Sequence, residues 1–296
     1  MEKEREGRSG SLVLFPGALG DAVCLEPSIA WLRGLGPVHL RARGAAAEVA
    51  ALFPAQPEVG SLDAPEVARL FAPLGPGAAR PPTWLTGFAR VVSFTGSRSP
   101  ELRARLARCD GARLVPFPAG TGRAHVIDEM LAGVSGGSAP LGGLPSLRSL
   151  HAGTPAGWRL VLHPGSGGTA KRAPVEWFGD LADRFRRSGG EEVVVLLGPA
   201  EGAQEGRWAR GVGRVESPAS VSCLADEIAA ATVYVGNDAG PSHVAAALGV
   251  PTVVLFTVTD PARFGPRGSH VRHRHVGADD SAGSARVWEA VERLLP

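Results

Sequence analysis

The sequence predicts an α/β protein of two doubly wound, Rossmann-like parallel-sheet domains that face each other across a cleft. Short apolar runs alternate with helical or turn-rich stretches through the first half of the 296-residue chain. The alternation stops in a segment rich in Gly, Ser, Pro and Leu, at about residues 135–156, and then resumes. Two such series joined by a linker indicate two parallel-sheet domains. We expect them at residues 1–150 and 157–296.

The positions of the apolar runs give the expected elements. In the first half we predict strands at Ser11–Phe15, Val38–Arg41, Val91–Phe94 and Leu114–Phe117, and a helix at Pro27–Arg33. In the second half we predict strands at Arg159–His163, Glu192–Leu197, Thr232–Val235 and Pro251–Phe256, and helices at Val175–Arg187, Cys223–Ala231 and His243–Leu248.

Composition excludes several classes of protein. A net charge of +2 is too small to indicate nucleic-acid binding, and three widely spaced cysteines predict no disulfide framework. The charged N-terminus lacks the apolar core of a signal peptide, and no apolar run is long enough to span a bilayer. We expect a cytoplasmic protein, and peripheral contact with the inner face of the cytoplasmic membrane stays open. The sequence contains neither GxGxxG nor GxxxxGK[ST], which disfavours a dehydrogenase or a Walker-type ATPase.

The most informative segment is the turn GNDAGPSH, residues 236–243, between an apolar strand and an alanine-rich helix. The first N–H groups of a helix are unpaired, and the positive end of its dipole attracts a diphosphate. Gly240 would let a ligand approach the backbone, and Pro241 suits a first helical turn. The turn therefore predicts a phosphate site.

A second glycine-rich loop, HPGSGGTAKRAP at residues 163–174, also follows an apolar strand. It contains Lys171, one of two lysines in the chain, and the turn above contains the only asparagine, Asn237. For Lys171 this favours a specific function over chance placement in a loop. For Asn237 the two explanations are balanced.

The N-terminal loop carries a candidate carboxylate. A buried strand leads through Gly17, Ala18, Leu19 and Gly20 to Asp21. Asp21 could cap the following helix. It could equally act as a general base that takes a proton from an attacking hydroxyl while a nucleoside diphosphate departs. Spacing alone does not separate these alternatives.

Together, the loops at 17–21, 164–171 and 236–243 resemble glycosyltransferase family 9, the lipopolysaccharide heptosyltransferases. The element Asp238-Ala239-Gly240-Pro241-Ser242-His243 is the most specific part of the resemblance. The segment at 122–130 resembles the family's histidine-containing helix start, and Thr259-Asp260-Pro261 resembles its ending after the last major strand.

The resemblance implies a GT-B fold with an N-terminal acceptor domain and a C-terminal donor domain. Members transfer heptose with inversion from an ADP-activated donor to a lipopolysaccharide acceptor, without a bound metal or other cofactor. By position, Asp21 would be the base, Lys171 would neutralise the donor phosphates, and the turn from Asp238 to His243 would hold the pyrophosphate and sugar. Ser166 and Thr169 would add hydrogen bonds to the phosphates.

The chain departs from the family pattern at Phe15, where a basic residue is usual, and at Ala173, where an aromatic residue is usual. Two alternatives therefore remain open at this stage. One is another GT-B nucleotide-sugar enzyme, such as a 2-epimerase. The other is a noncatalytic paralogue that binds a nucleotide sugar.

Other polar residues allow two interpretations. Glu201 could contact a ribose, although an exposed turn carboxylate is the more common case. His163 is expected to pack at a strand end, and His243 to belong to the site. The histidines at 270, 273 and 275 are interpreted as surface residues rather than a metal site. The basic residues of one stretch could meet an anionic acceptor or lipid, or form a solvated helix face: Arg98, Arg103, Arg105 and Arg108.

Overall fold

The computed structural model describes residues 9–73, 80–117, 122–149, 157–198, 201, 203–277 and 282–296. The chain divides into two compact units, Met1–Gly143 and Leu144–Pro296. This division falls inside the segment 135–156 that the sequence marks as a linker.

The first unit is a parallel sheet with helices on both faces. Its strands are β1 (Ser11–Leu14), β2 (Val38–Ala42), β3 (Glu58–Ser61), β4 (Arg90–Ser93) and β5 (Ala112–Leu114). Its helices are α1 (Leu19–Arg33), α2 (Gly44–Ala50), α3 (Pro65–Ala68), α4 (Thr83–Thr86), α5 (Pro100–Leu106) and α6 (Val126–Ser135). The strand order is β3-β2-β1-β4-β5, and the paired strands are parallel. This is the order of a doubly wound sheet.

The second unit repeats the architecture. Its strands are β6 (Arg159–His163), β7 (Glu192–Leu196), β8 (Arg214–Glu216), β9 (Val233–Asn237), β10 (Thr252–Phe256) and β11 (Val271–His275). Its helices are α7 (Val175–Arg187), α8 (Ala203–Val212), α9 (Val221–Ala229), α10 (Gly240–Ala247), α11 (Pro261–Phe264) and α12 (Gly283–Glu292). The order β11-β10-β9-β6-β7-β8 is again parallel, so the prediction of two doubly wound parallel-sheet domains is confirmed.

Each unit has an apolar core of its own. In the first, Leu12 and Leu14 of β1 pack with Leu102 of α5. In the second, Phe178 and Phe185 of α7 pack against the sheet. Both phenylalanines are fully buried. The buried residues of α7 recur at the spacing of one helix face, which is what its amphipathic pattern predicts: Phe178, Leu181, Ala182 and Phe185.

Two predicted elements of the first unit were wrong. β5 is Ala112–Leu114 rather than Leu114–Phe117, because Pro116 cannot donate to a ladder and the chain leaves the sheet before it. The first helix begins at Leu19, not at Pro27, which lies inside it. Buried Val23 and Ile29 on either side show that packing outweighs the hydrogen bond lost at the proline.

In open parallel sheets, ligands bind beyond the carboxyl ends of the strands, where the strand order reverses. In the second unit this point lies between β6 and β9, and in the first between β1 and β4. None of the helices in the described parts of the chain combines the length and the hydropathy that crossing a bilayer requires.

Candidate functional site

Both glycine-rich segments of the second unit lie at its switch point. The loop at 164–174 follows β6, and the turn at 238–243 follows β9, the strand paired with β6. Residues far apart in sequence therefore meet at one edge of the sheet.

Asn237 holds together the two ends of the glycine-rich loop at 164–174. Its Nδ2 donates to the backbone oxygen of Pro164 at 2.7 Å, and its Oδ1 accepts from the backbone N–H of Ala173 at 3.0 Å. The side chain is fully buried. Of the two explanations that the sequence left balanced, the geometry favours a specific one: the only asparagine clamps the loop that carries Lys171.

Lys171 reaches from this loop to the turn after β9. Its Nζ lies 2.8 Å from Oδ2 of Asp238, which is 7% exposed. The same oxygen accepts a hydrogen bond from Oγ1 of Thr259. The Lys171 side chain is 38% exposed. Since an ammonium has three donors, it can hold Asp238 and still donate to a bound anion.

The turn 238–243 presents the N-terminus of α10. Ala239 is the N-cap residue in an extended conformation, and α10 begins at Gly240 with Pro241 in its first turn. The amides of this first turn precede the intrahelical hydrogen bonds, and residues 239–241 are half-buried. The arrangement provides N–H groups and a positive helix end beside the Lys171 ammonium.

The buried side chains of Ser242 and Tyr234 help to fix the shape of the turn. Oγ of Ser242 donates to the backbone oxygen of Asn237 at 2.7 Å and lies 3.2 Å from the hydroxyl of Tyr234. His243 is 9% exposed. Ser242 therefore stabilises the turn from within the protein interior, and residues 239–241 are the partly accessible part of the turn.

The remaining polar residues of the loop differ in accessibility. Ser166 is buried, and its hydroxyl donates to the backbone oxygen of Asp238 at 3.1 Å. Thr169 is exposed at the start of a 3-10 turn that runs to Lys171. Thr169 is thus open to a ligand, whereas the Ser166 hydroxyl is directed inward.

Glu201 corrects one expectation. Its side chain is 3% exposed, not an exposed turn carboxylate. Oε1 lies 3.6 Å from Nη2 of Arg172, and Oε2 accepts from the N–H of Gly198. A Cβ on Gly165 would lie 2.3 Å from Oε1, so the absence of a side chain there lets the carboxylate approach the loop.

His163 ends β6 behind this carboxylate, as expected for a packed strand end. It is 5% exposed, and Nδ1 lies 3.0 Å from the backbone oxygen of Leu196. Burial lowers the pKa of the His163 imidazole, partly offset by that hydrogen bond and by the Glu201 charge. The neutral ring donates from Nδ1.

In the first unit, Asp21 lies in the first turn of α1. Its Oδ2 accepts from the backbone N–H of Ala18 at 2.9 Å, so it has the capping contact that the sequence allowed. A Cβ on Gly17 would lie 2.5 Å from the Phe15 ring and 2.7 Å from Cβ of Asp21. Glycine at 17 therefore permits the tight approach of this loop to both residues. Leu19 and Gly20 form the start of the helix.

Phe15, at the end of β1, is fully buried. Its ring centroid lies 5.4 Å from that of Phe94 and 5.2 Å from that of Phe117. The position at which the family has a basic residue is thus part of an aromatic cluster at the switch point of the first sheet.

Two further interpretations need correction. Arg105 is not on a solvated face, because it is 6% exposed and donates to the backbone oxygens of Leu70 and Ala72 at 2.7 and 3.0 Å. Arg98, Arg103 and Arg108 are exposed.

His273 is half-buried rather than on the surface. It packs edge-to-face on Phe256, and burial lowers its pKa. Within the described ranges, no group of three or more His, Cys, Asp or Glu residues has the geometry to hold a metal ion.

Sequence reasoning did not single out Thr259 as a partner of Asp238, nor Arg172 as a partner of Glu201. Thr259 follows β10, which pairs with β9. A hydroxyl at the carboxyl end of a neighbouring strand was the available signal.

Two parallel-sheet units, with a glycine-rich loop and a helix N-terminus at the switch point of the second, define the GT-B class of fold. Solved structures support this assignment. The glycosyl transferase family 9 protein of Veillonella parvula is 16% identical, with a TM-score of 0.72 over 97% of both chains. The E. coli heptosyltransferase WaaC, solved with ADP, is 16% identical, with a TM-score of 0.70 over 96% of this chain and 99% of that one.

Residues 150–287 match the model of glycosyltransferase family 9 (heptosyltransferase). Lipopolysaccharide heptosyltransferase 1 of Pseudomonas aeruginosa is 34% identical over 123 residues, which are 40% of this chain and 34% of the relative. The match thus spans about a third of that curated relative's length. The resemblance to glycosyltransferase family 9 that the motifs predicted is confirmed.

Proposed function

We propose that this protein is a glycosyltransferase that transfers a heptose-like sugar from an ADP-activated donor to a lipopolysaccharide core or related cell-envelope acceptor. The observation that carries the proposal is the Lys171–Asp238 contact of 2.8 Å at the N-terminus of α10. It brings a cation and unpaired helix amides to one edge of a parallel sheet, where a departing nucleoside diphosphate needs its charge stabilised.

The second unit would be the donor domain. Lys171, Thr169 and the amides of residues 239–240 would bind the diphosphate. Buried Glu201 would hold the loop through Arg172 rather than meet the ribose, as the sequence had allowed. The family match covers this unit, and the E. coli relative WaaC was solved with ADP. These likenesses support an adenine nucleotide as the donor carrier.

The first unit would bind the acceptor, with Asp21 as the base. Asp21 is half-buried at the carboxyl end of β1, where its carboxylate could take a proton from an acceptor hydroxyl. Attack by that hydroxyl on the face opposite the leaving diphosphate would invert the anomeric centre. The reaction would need no metal, because Lys171 and the helix N-terminus supply the positive charge.

The cytoplasmic location, with contact at the inner face of the membrane, stays a prediction. It accords with a lipid-linked acceptor.

Fully buried Phe15 favours a second candidate. It stands where the family usually has a basic residue, six positions before Asp21. If the acceptor pocket is lost, the protein would bind a nucleotide sugar without transferring it. Retention of Asp21 argues for catalysis.

Because Asp21 also caps the start of α1, a substitution that tests its role as a base must keep the capping contact. Asp21→Asn keeps an oxygen that can accept from Ala18, so it preserves the helix start while removing the base. We expect Asp21→Asn to abolish ADP release from ADP-heptose with a lipopolysaccharide core acceptor, yet to bind ADP like the wild type. Ser220→Ala is a matched cap control, because Oγ of Ser220 accepts from the N–H of Cys223 at the start of α9.

Wild-type transfer that is lost in Asp21→Asn supports the enzyme. Binding of ADP without transfer by the wild type supports the noncatalytic candidate. Equal loss of ADP binding in Asp21→Asn and Lys171→Ala would contradict the assigned roles.

A further inference from the structure

The first unit contains a cavity of about 530 Å³ at the opposite end of its sheet from Asp21. Its walls come from the starts of β4 and β5 and the carboxyl ends of α1 and α6. Trp31 lies ten residues beyond Asp21 on α1, about 15 Å along the helix axis. The cavity is thus separate from the candidate catalytic loop, and its volume is that of a small-molecule site.

Two arginines line this cavity from adjacent strands. Arg90 begins β4, and Arg113 lies in β5 opposite Val92. Since Arg90 and Val92 are two residues apart, both arginines leave the same face of the sheet. In the parts of the chain that the structure describes, neither guanidinium has a hydrogen bond or an ion pair. The cavity thus holds two cations without a protein anion bound to them.

A buried hydroxyl points to the same conclusion. Ser135, the last residue of α6, lines the cavity and is 6% exposed. Its Oγ has no hydrogen-bond partner among the described residues. A buried polar atom without a partner destabilises the fold, and a hydrogen bond to a ligand would remove that cost.

The rest of the lining is mixed. Trp31, Leu35, Ala89 and Val134 supply apolar surface, and Leu35 is 46% exposed. Asp110 is the acidic residue of the lining, so the cations outnumber it. The cavity pairs a cationic region with an apolar wall.

We propose that this cavity binds a small organic anion, a phosphate monoester or carboxylate with an apolar body. Its charged end lies between Arg90 and Arg113 and accepts a hydrogen bond from Ser135, and its apolar body packs on Trp31 and Leu35. This site is independent of the proposed sugar transfer.

Phenyl phosphate is a suitable probe, and Trp31 is a local reporter. We expect phenyl phosphate to quench the tryptophan fluorescence saturably in the wild type and not in Trp31→Phe. Inorganic phosphate lacks the apolar body and should bind more weakly than phenyl phosphate. Arg90→Gln and Arg113→Gln should each weaken phenyl phosphate about tenfold. Arg33→Gln is the matched control, because Arg33 is exposed on α1 but does not line the cavity.

Ser135→Ala separates ligand binding from structure. It should weaken phenyl phosphate about tenfold while leaving the thermal midpoint of the free protein unchanged or higher, because it removes an unpaired buried hydroxyl. A lower midpoint with unchanged binding would overturn the role of Ser135.

The Arg113 guanidinium lies against Gly136, just after the end of α6. A cation there can also stabilise the negative end of the helix dipole. If this is its whole role, Arg113→Gln lowers the thermal midpoint and leaves phenyl phosphate binding unchanged, which would contradict the proposal. If the protein sediments with phosphatidic acid vesicles but does not bind phenyl phosphate, the cavity recognises a lipid surface. That result would contradict the proposal of a soluble ligand.

Discussion

The Nζ of Lys171 lies 2.8 Å from Oδ2 of Asp238, across two loops that are 67 residues apart in the sequence. The contact places a cation at the N-terminus of α10 and neutralises a carboxylate that is 7% exposed. The two charges are coupled, so the effect of removing one depends on the other.

This coupling predicts a nonadditive pair of substitutions. Lys171→Ala removes a cation from the phosphate site and leaves the Asp238 carboxylate there without its ion-pair partner, so we expect ADP binding to weaken about 100-fold. Lys171→Ala combined with Asp238→Asn should bind ADP more tightly than Lys171→Ala alone, because it also removes the opposing charge. Calorimetry on these two variants and on Asp238→Asn alone checks this, with exposed Arg187→Ala as a control. Additive losses would contradict the coupling.

Asn237 should stabilise the second unit through its two loop contacts. Asn237→Ala leaves the buried backbone groups of Pro164 and Ala173 without their partner, so we expect the free energy of unfolding to fall by about 2–4 kcal/mol. ADP affinity should fall as well, because both ends of the Lys171 loop are released. Urea denaturation measures the first effect. Ser188→Ala, which removes one hydrogen bond at the exposed end of α7, should change stability far less. Comparable losses in the two variants would refute the clamp.

Arg105 should behave as a core residue. Arg105→Ala removes two hydrogen bonds to the backbone oxygens of Leu70 and Ala72, so we expect a loss of about 2–4 kcal/mol. Exposed Arg108→Ala, three residues away, should stay within about 0.5 kcal/mol of the wild type. Thermal denaturation of both variants makes the comparison. If Arg105→Ala is as stable as the wild type, the interpretation of Arg105 as part of a solvated helix face would be restored.

His163 should make stability depend on pH. Because burial lowers its pKa in the folded protein, the unfolded chain binds the extra proton first. The stability it contributes is complete above the unfolded pKa of about 6.5 and is lost as pH falls below that value towards the lower folded pKa. His163→Gln should therefore flatten the dependence of unfolding free energy on pH between about 7 and 5. His275→Gln, at an exposed position, serves as the control. An unchanged slope in His163→Gln would show that the ring accepts a proton in the fold.

The sequence predicts the central elements of the fold well and its edges poorly. β6 and α7 have the predicted bounds, because buried strands and amphipathic helices carry strong apolar patterns. The edge strands β3 (Glu58–Ser61) and β8 (Arg214–Glu216) were missed, since they are short, polar and paired on one side.

The candidate site shows the same division. The loops containing Lys171 and Asp238 were predictable from glycine and helix-start patterns. Their direct contact, the Asn237 clamp and the burial of Glu201 were not, because they depend on which strands become neighbours. Sequence periodicity identifies strands but does not give their order in the sheet.

The central claim is that the second unit binds an ADP-type sugar donor through Lys171. Calorimetric titration of the wild type and Lys171→Ala with ADP, UDP and GDP tests it most directly. We predict selective binding of ADP by the wild type and its loss in Lys171→Ala. No nucleotide binding, or ADP binding that survives the substitution, would contradict the claim.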